Sequence, residues 1–182
     1  MYNPYALIVL VGQALIMLFE LRSLLQSSGV SYYHPLSQTV AKLTDPIMRF
    51  MPFRQKSVRG FFYAGMIVAL IISLLFWLGF ALWFGSSELI GFVPVLGILM
   101  TVKTFGYLLI VLLLVQALTS WLPSTRGISM LCGQLTYPIV SPIQRIIPPI
   151  GMIDISLMVV LLVLYALNAL FLRLFGAMWL YF

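Results

Sequence analysis

Residues 60–87 form an uncharged apolar segment, and this segment most constrains what the chain can fold into. Its central part, residues 63–84, contains about 22 residues, enough for a helix to cross a hydrocarbon core about 30 Å thick. Aromatic side chains at both ends suit the two membrane–water interfaces: Phe61, Phe62, Tyr63, Trp83 and Phe84. The segment therefore predicts a membrane-spanning helix.

The composition extends this prediction to the whole chain. Of the 182 residues, 63% are hydrophobic and only 8% are charged, whereas an ordinary soluble domain is about a quarter charged. We expect an all-α membrane protein with four transmembrane helices, at about residues 2–21, 61–84, 100–121 and 155–176. The first apolar segment lacks a basic flank and a small-residue cleavage site, so it is interpreted as a retained helix, ending near Glu20 and Arg22.

Residues 89–100 are apolar but number only about a dozen, which is short for a membrane span. They contain Gly91, Pro94 and Gly97. Three interpretations stay open from the sequence: an interfacial segment, a re-entrant turn, or an early start of the third helix.

A proline-containing motif occurs twice. Leu43-Thr44-x-Pro46 recurs as Leu135-Thr136-x-Pro138 at an offset of 92 residues. The Pro-Ile-x-Arg sequence at residues 46–49 recurs at residues 142–145, at an offset of 96. This duplication predicts two tandem repeats, residues 1–88 and 89–182, each a helical hairpin around a basic loop. Loop-shaping residues, expected to interrupt helices, are Pro46, Pro52, Pro138, Pro142, Pro148, Pro149 and Gly151.

The second copy continues as Pro148-Pro149-Ile-Gly151-x-Ile-Asp154-Ile-Ser156. With the repeated Leu-Thr-x-Pro motif, it resembles the repeat of the YggT family of bacterial inner-membrane proteins. The chain departs from the family pattern at Gln144, where the family usually has a second arginine. The resemblance implies a multi-pass inner-membrane protein linked to osmotic-stress tolerance and ion uptake. Relatives have been linked to cell-division gene neighbourhoods and, in plastids, to cytochrome assembly.

The basic residues predict the orientation. The net charge is +6, and eight of the ten Lys and Arg residues fall in residues 22–60 and 122–155. By the positive-inside rule, both loops are expected in the cytoplasm and both termini in the periplasm. The two repeats would then be parallel, which disfavours an inverted-repeat transporter. Because the cations cluster in loops, we favour topology over nucleic-acid binding as the reason for the charge.

Within the loops, Arg49 and Arg145 share the same proline-flanked setting. We expect amphipathic helices there, with their cations at the headgroups of anionic lipids or at a protein partner. Neighbouring candidates for the same contacts are Arg54, Lys56 and Arg59. Pro46 and Pro142 are expected to begin new helical turns, and Asp154 or Ser156 to cap the fourth helix.

Polar side chains inside apolar helices are the other candidates, because they must find partners in lipid. We expect them to face one another inside the bundle, either as helix-pairing contacts or as an ion path: Gln13, Glu20, Arg22, Gln116 and Asn168. The acidic residues show no paired spacing, and no nucleotide-binding or catalytic motif is present, so neither an enzyme nor a cofactor is expected. His34 lacks further ligands around it for a metal, and Cys132 is interpreted as a packing residue.

Two hypotheses follow. The first is a non-enzymatic scaffold or assembly factor whose paired loops recruit a membrane or cytoplasmic partner. The second is a small ion channel or transporter for osmotic adaptation, for which a homo-oligomer would supply the ring of polar groups that one chain lacks.

Overall fold

The structure is a computed structural model that describes residues 4–85, 87–146 and 155–180. Over these residues the chain is mostly helical, and its strands form one short hairpin. In chain order the elements are α1 (Pro4–Ser27), α2 (Pro35–Met48), β1 (Ser57–Val58), β2 (Phe61–Phe62), α3 (Ala64–Trp83), α4 (Ser87–Ser120), a 3₁₀ turn (Pro123–Thr125), α5 (Arg126–Gln144), α6 (Ile155–Phe175) and α7 (Ala177–Leu180).

Among the described residues, four helices are long and apolar enough to cross a membrane: α1, α3, α4 and α6. The predicted all-α membrane fold with four spanning helices is therefore confirmed. Helices α3 and α6 begin and end within three residues of the predicted bounds. Helix α4 contacts α1, α3, α5 and α6, which makes it the central element of the bundle.

Two predicted helix boundaries are wrong. Helix α1 continues past Glu20 and Arg22 to Ser27, because both polar side chains find partners on other helices. The third helix begins at Ser87, so residues 89–100 are its early start, as one of the three interpretations had it. With 34 residues, α4 is about 51 Å long, well beyond the thickness of a hydrocarbon core.

Small residues allow α3 to approach its neighbours closely. Every fourth residue along one face of α3 is buried, and most of them are small: Gly65, Ala69, Ser73, Trp77 and Ala81. A Cβ atom on Gly97 of α4 would lie 2.6 Å from a methyl carbon of Leu74, and the Ser73 hydroxyl donates to the Gly97 carbonyl at 2.9 Å. Small residues and interhelical hydrogen bonds are the usual contacts between helices in a membrane. Lipid tails are as apolar as the side chains, so moving apolar side chains from lipid into a helix interface gains little free energy.

Helices α2 and α5 run through their prolines. Pro46 lies inside α2, and Pro138 and Pro142 lie inside α5, so the expected breaks and new turns at these prolines are wrong. All three prolines are exposed. A proline removes one backbone N–H and frees the carbonyl four residues earlier, here at Lys42, Gln134 and Pro138, which are also exposed. Because these carbonyls lie on the exposed side, groups outside the fold can bond them, and the helix persists.

A two-stranded hairpin joins α2 to α3. Its strands pair antiparallel, with Ser57 opposite Phe62 and Val58 opposite Phe61. The two turn residues, Arg59 and Gly60, have φ angles of 52° and 85°, which is typical of the tight turn that matches the twist of a hairpin. The backbone N–H of Phe62 donates to the Ser27 hydroxyl at 2.9 Å, so the hairpin is attached to the end of α1.

Candidate functional site

A buried polar seam lies where α1, α3 and α4 meet. Its central group is Glu20, whose side chain is fully excluded from solvent. The Thr104 hydroxyl on α4 donates to Glu20 Oε1 at 2.9 Å, and Thr104 is itself fully buried. One turn further along α1, the Ser23 hydroxyl accepts from the backbone N–H of Met66 on α3 at 3.0 Å. The seam thus joins three of the four candidate spans.

The second oxygen of Glu20, Oε2, is buried and has no hydrogen-bond partner in the part of the chain that the structure describes. A carboxyl group within a membrane span is costly to bury, so its retention usually marks a functional group, an ion or proton site, or a tight polar contact. Because only Oε1 is bonded, the Thr104 contact alone does not account for this group.

Gln13 lies two turns away from Glu20 on α1 and is also buried. Its amide nitrogen Nε2 has no hydrogen-bond partner among residues 4–85, 87–146 and 155–180. It lines a cavity of about 700 Å³ together with Trp77 of α3 and Leu96 of α4. The expectation that Gln13 faces the bundle interior therefore agrees with its position, although its amide meets a cavity and not another polar side chain.

Arg22 attaches α2 to the end of α1. Its Nη1 donates to Asp45 Oδ1 at 2.7 Å, to the Thr44 hydroxyl, and to the Ala41 carbonyl at 3.4 Å. Thr44 is fully buried, whereas the Asp45 side chain is 54% exposed. The charged contact is therefore screened by solvent, and the contact with Thr44 is the buried part of this attachment.

A comparable contact attaches α5 to α4. The Thr136 hydroxyl donates to Gln116 Oε1 at 2.9 Å, and Thr136 is buried. Thr44 and Thr136 are the two threonines of the repeated Leu-Thr-x-Pro motif. Their contacts to the spanning helices were not predicted, although the recurrence of a threonine at the same place in both copies is a usable signal.

The C-terminal helix α7 folds back onto the bundle after Gly176, which has a φ of 53°. Trp179 Nε1 donates to Asn168 Oδ1 at 2.9 Å, and the buried Lys103 Nζ donates to the Trp179 carbonyl at 2.6 Å. The same ammonium group lies 5.1 Å from the Trp179 ring centroid. Lys103 was missed as a site residue, although a lone cation inside a long apolar helix indicates a specific partner.

The intramembrane polar residues therefore do not form one shared interior. Among the described residues, Glu20 bonds Thr104, Arg22 bonds α2, Gln116 bonds Thr136 and Asn168 bonds Trp179. The prediction that they face one another is wrong in this form. Each of these four side chains bonds a residue of a different element: α4, α2, α5 and α7, respectively.

The two repeated arginines occupy matching positions. Arg49 follows the last residue of α2 and Arg145 the last residue of α5, and each backbone N–H bonds the carbonyl four residues earlier. Both side chains are exposed. A cation at a helix C-terminus is favoured by the helix dipole. The nearby cations Arg54 and Lys56, between α2 and the hairpin, and Arg59, in the hairpin turn, are also exposed.

The remaining predicted site residues divide into two groups. Ser156 is the second residue of α6 and is fully buried, so it does not hold the capping position before that helix, and this prediction is corrected. Outside the described residues lie Pro148, Pro149, Gly151 and Asp154.

His34 has a local structural role that was not predicted. Its Nδ1 accepts from the backbone N–H of Leu36 at 3.2 Å and caps the start of α2. No group of three or more metal-binding side chains lies within residues 4–85, 87–146 and 155–180. Cys132 is buried on α5, and burial raises the pKa of its thiol above the ordinary value, which suits a packing role.

Comparison with known proteins gives consistent matches. The sequence profile of the CCB3/YggT family matches residues 95–175. An uncharacterized protein of Haemophilus influenzae is 34% identical over 160 residues, which cover 87% of this chain and 86% of the relative. The Escherichia coli K12 protein named YggT is 34% identical over 158 residues, covering 84% and 80%. A Vibrio alginolyticus protein is 34% identical over 170 residues, covering 90% of each chain. No solved structure matches.

Proposed function

Because the chain belongs to the YggT family of membrane proteins, we propose that it is a non-enzymatic scaffold or assembly factor of the bacterial inner membrane. The process it serves is the osmotic-stress response or the assembly of envelope and membrane complexes. One observation carries the proposal: two loop helices, each attached to the end of a spanning helix, terminate in an exposed arginine, Arg49 on α2 and Arg145 on α5.

Both loop helices are attached at the same face of the bundle. The end of α1 and the end of α4 border one cavity of about 440 Å³, whose polar lining residues include Ser27 at the end of α1, Ser28 directly after it, Gln116 of α4 and Gln134 of α5. A partner that meets one loop helix therefore lies close to the other. The positive-inside rule puts this face in the cytoplasm and both termini in the periplasm.

The same features support an internal repeat. Threonines at equivalent positions of the motif, Thr44 and Thr136, attach the loop helices to α1 and α4. Arginines at equivalent positions follow the last helical residue. On this proposal, residues 1–88 and 89–182 are parallel repeats that present two similar docking elements.

Anionic lipid is the first contact of this face. Each Lys or Arg near the surface of an anionic leaflet contributes roughly 1 kcal/mol to attraction at low salt. The chain from the end of α2 to the hairpin turn adds the exposed cations Arg54, Lys56 and Arg59. A membrane or cytoplasmic protein with an acidic surface is the second contact, and a homo-oligomer would double the number of docking elements.

We expect replacement of both Arg49 and Arg145 by glutamine to weaken partner capture strongly. A photo-crosslinking amino acid at the exposed Gln55, between the two cationic side chains Arg54 and Lys56, would report the partner in intact cells. Loss of two charge-assisted contacts should lower the crosslink yield by about tenfold.

The matched control is Arg173→Gln. Arg173 is exposed in the last turn of α6, away from the loop helices, so the variant removes the same charge elsewhere. It should leave the yield unchanged. A wild-type crosslink pattern in the double variant, with normal membrane insertion, would rule out the arginines as docking groups.

Ion conduction is the second candidate function, and one observation favours it. Within the described residues, Glu20 Oε2 at the α1–α3–α4 seam has no hydrogen-bond partner, and neither has Gln13 Nε2 two turns away on the same helix. The carboxyl group of Glu20 and the amide of Gln13 could each contact a cation that passes along α1. The intervening apolar packing of Ile16 and Phe19 opposes continuous hydration of that path.

We expect purified protein in liposomes to show no potassium flux above that of empty liposomes. If flux exceeds this background and falls by about tenfold in Glu20→Gln, ion conduction replaces the scaffold proposal, since one charge at a dry site strongly affects cation passage. Glu88→Gln, which removes an exposed acid at the start of α4, is the control and should not alter the flux.

A further inference from the structure

A cavity of about 700 Å³ lies among the first half of α1, the end of α3, the start of α4 and the C-terminal helix α7. This volume is in the range of sites for small molecules, about 300–1,000 Å³. The cavity lies at the end of the bundle away from α2 and α5, because Tyr5 begins its α1 wall and Phe84 ends its α3 wall. It is therefore separate from the docking face.

The mouth of this cavity is apolar. Rim residues with substantial exposure are Leu10 on α1, Phe92 on α4 and Leu180 on α7. Helices α1 and α4 are candidate membrane spans. An opening bordered by such side chains faces hydrocarbon in a bilayer, so a ligand enters from the membrane and must itself be soluble in lipid.

Five aromatic rings line the walls: Tyr5, Trp77, Phe80, Phe84 and Phe92. Several already pair with one another, as Phe80 does with Phe84 at 4.7 Å and Trp77 does with Phe80 at 5.5 Å. Flat rings offset or edge-on to such side chains gain more than their buried area alone provides. The walls thus favour a ligand with a ring over a purely saturated chain.

Gln13 supplies a hydrogen-bond donor at the deep end of the cavity. It is the lining residue of α1 furthest from Tyr5, and its side chain is only 8% exposed. Its amide nitrogen has no partner within the described residues. A buried donor without a partner costs free energy, and in lipid no water is present to reduce that cost. A ligand atom that accepts from this amide would remove the cost.

We infer that this cavity binds a membrane-soluble carbonyl compound, an apolar molecule whose carbonyl oxygen accepts a hydrogen bond from Gln13. Two kinds of lipid-soluble molecule carry such a carbonyl: a quinone-type ring on an alkyl tail and the ester of a fatty acyl chain. The aromatic walls favour the ring. Helix α7 forms one wall through Met178 and Leu180, and Lys103 secures that helix through the Trp179 carbonyl.

The test is native mass spectrometry of the full chain in lipid nanodiscs that contain increasing mole fractions of a probe. Three probes separate the alternatives: decylbenzoquinone presents a ring carbonyl, methyl palmitate presents an acyl carbonyl, and decylbenzene presents a ring without an acceptor. We expect one carbonyl probe to saturate at one molecule per chain, about tenfold more tightly than decylbenzene. The carbonyl probe that binds more tightly identifies the source.

Gln13→Leu should weaken binding of the carbonyl probe about tenfold and leave decylbenzene unaffected. This variant removes an unpaired buried amide, so it should fold at least as stably as the wild type, and thermal unfolding checks this. Ala6→Phe, which fills the cavity, should reduce binding of every probe, whereas Leu7→Phe on the lipid-facing side of the same turn should not.

Equal affinity of the carbonyl probe for wild type and Gln13→Leu would overturn the inference. So would binding that rises without saturation, or decylbenzene binding as tightly as the carbonyl probes.

Discussion

Gly65→Leu is expected to prevent α1 and α3 from packing and to cost the fold about 3 kcal/mol or more. A Cβ atom at Gly65 would lie 2.4 Å from the Phe19 carbonyl oxygen and 2.5 Å from the Ser23 hydroxyl. The nearest atom belongs to the backbone of α1, so no side-chain rotation relieves the overlap. Separation of the helices would also break the hydrogen bond from the Met66 N–H to Ser23.

Gly79→Leu is the matched control because it makes the same change in the same helix. A Cβ atom at Gly79 would have no atom of the described residues within 4 Å. Leucine favours a helix over glycine by somewhat under 1 kcal/mol, so this variant should be neutral or slightly stabilising. Equilibrium unfolding by SDS in mixed micelles measures both. If the two variants lost similar stability, the close contact between α1 and α3 at Gly65 would be refuted.

The spanning helices could be predicted from the sequence because few backbone conformations are stable in lipid. Long uncharged segments must bond their own backbone groups, and a helix does so within one segment. Helices α3 and α6 were therefore located closely. The start of α4 could not be fixed from the sequence, because residues 89–100 are too few for a span and left three interpretations open. Pro94 removes one backbone hydrogen bond there. The lost hydrogen bond is local, and packing of Leu96 and Met100 into the core outweighs it.

The partners of the polar residues could not be predicted. Glu20 and Thr104 are 84 residues apart, and their contact depends on how α1 and α4 rotate against each other. Periodicity shows that a polar group lies on a helix, but it does not fix the facing residue when the helix is apolar on all sides. Contacts made by the repeated Leu-Thr-x-Pro motif could have been predicted more easily, because Thr44 recurs as Thr136.

The helices around the prolines were also hard to predict from the sequence. Sequence rules treat Pro46, Pro138 and Pro142 as helix breakers, and in an isolated helix each would be costly. In the structure their freed carbonyls belong to exposed residues, and the opposite faces of the two helices are fixed by Thr44 and Thr136. Tertiary contacts of this kind outweigh the helix-breaking effect of proline, and the residues next to each proline do not indicate this.

Arg22→Met is expected to release α2 from the end of α1 at a cost of about 2 kcal/mol. Its contact with the buried Thr44 should supply most of this, because the Asp45 side chain is largely exposed and an exposed ion pair contributes at most about 1 kcal/mol. Asp45→Asn should therefore cost much less than Arg22→Met. Raising the salt concentration should weaken only the Asp45 contribution.

Hydrogen exchange distinguishes release of α2 from general loss of stability, because local opening raises exchange in one element only. In Arg22→Met, amides of α2 should exchange faster while those of α3 stay protected. The control is Lys42→Met, which removes an exposed cation from α2 itself and should change stability by less than about 0.5 kcal/mol. Faster exchange throughout the bundle in Arg22→Met, or equal effects of the two variants, would show that Arg22 does not specifically attach α2 and that the docking face owes its position to other contacts.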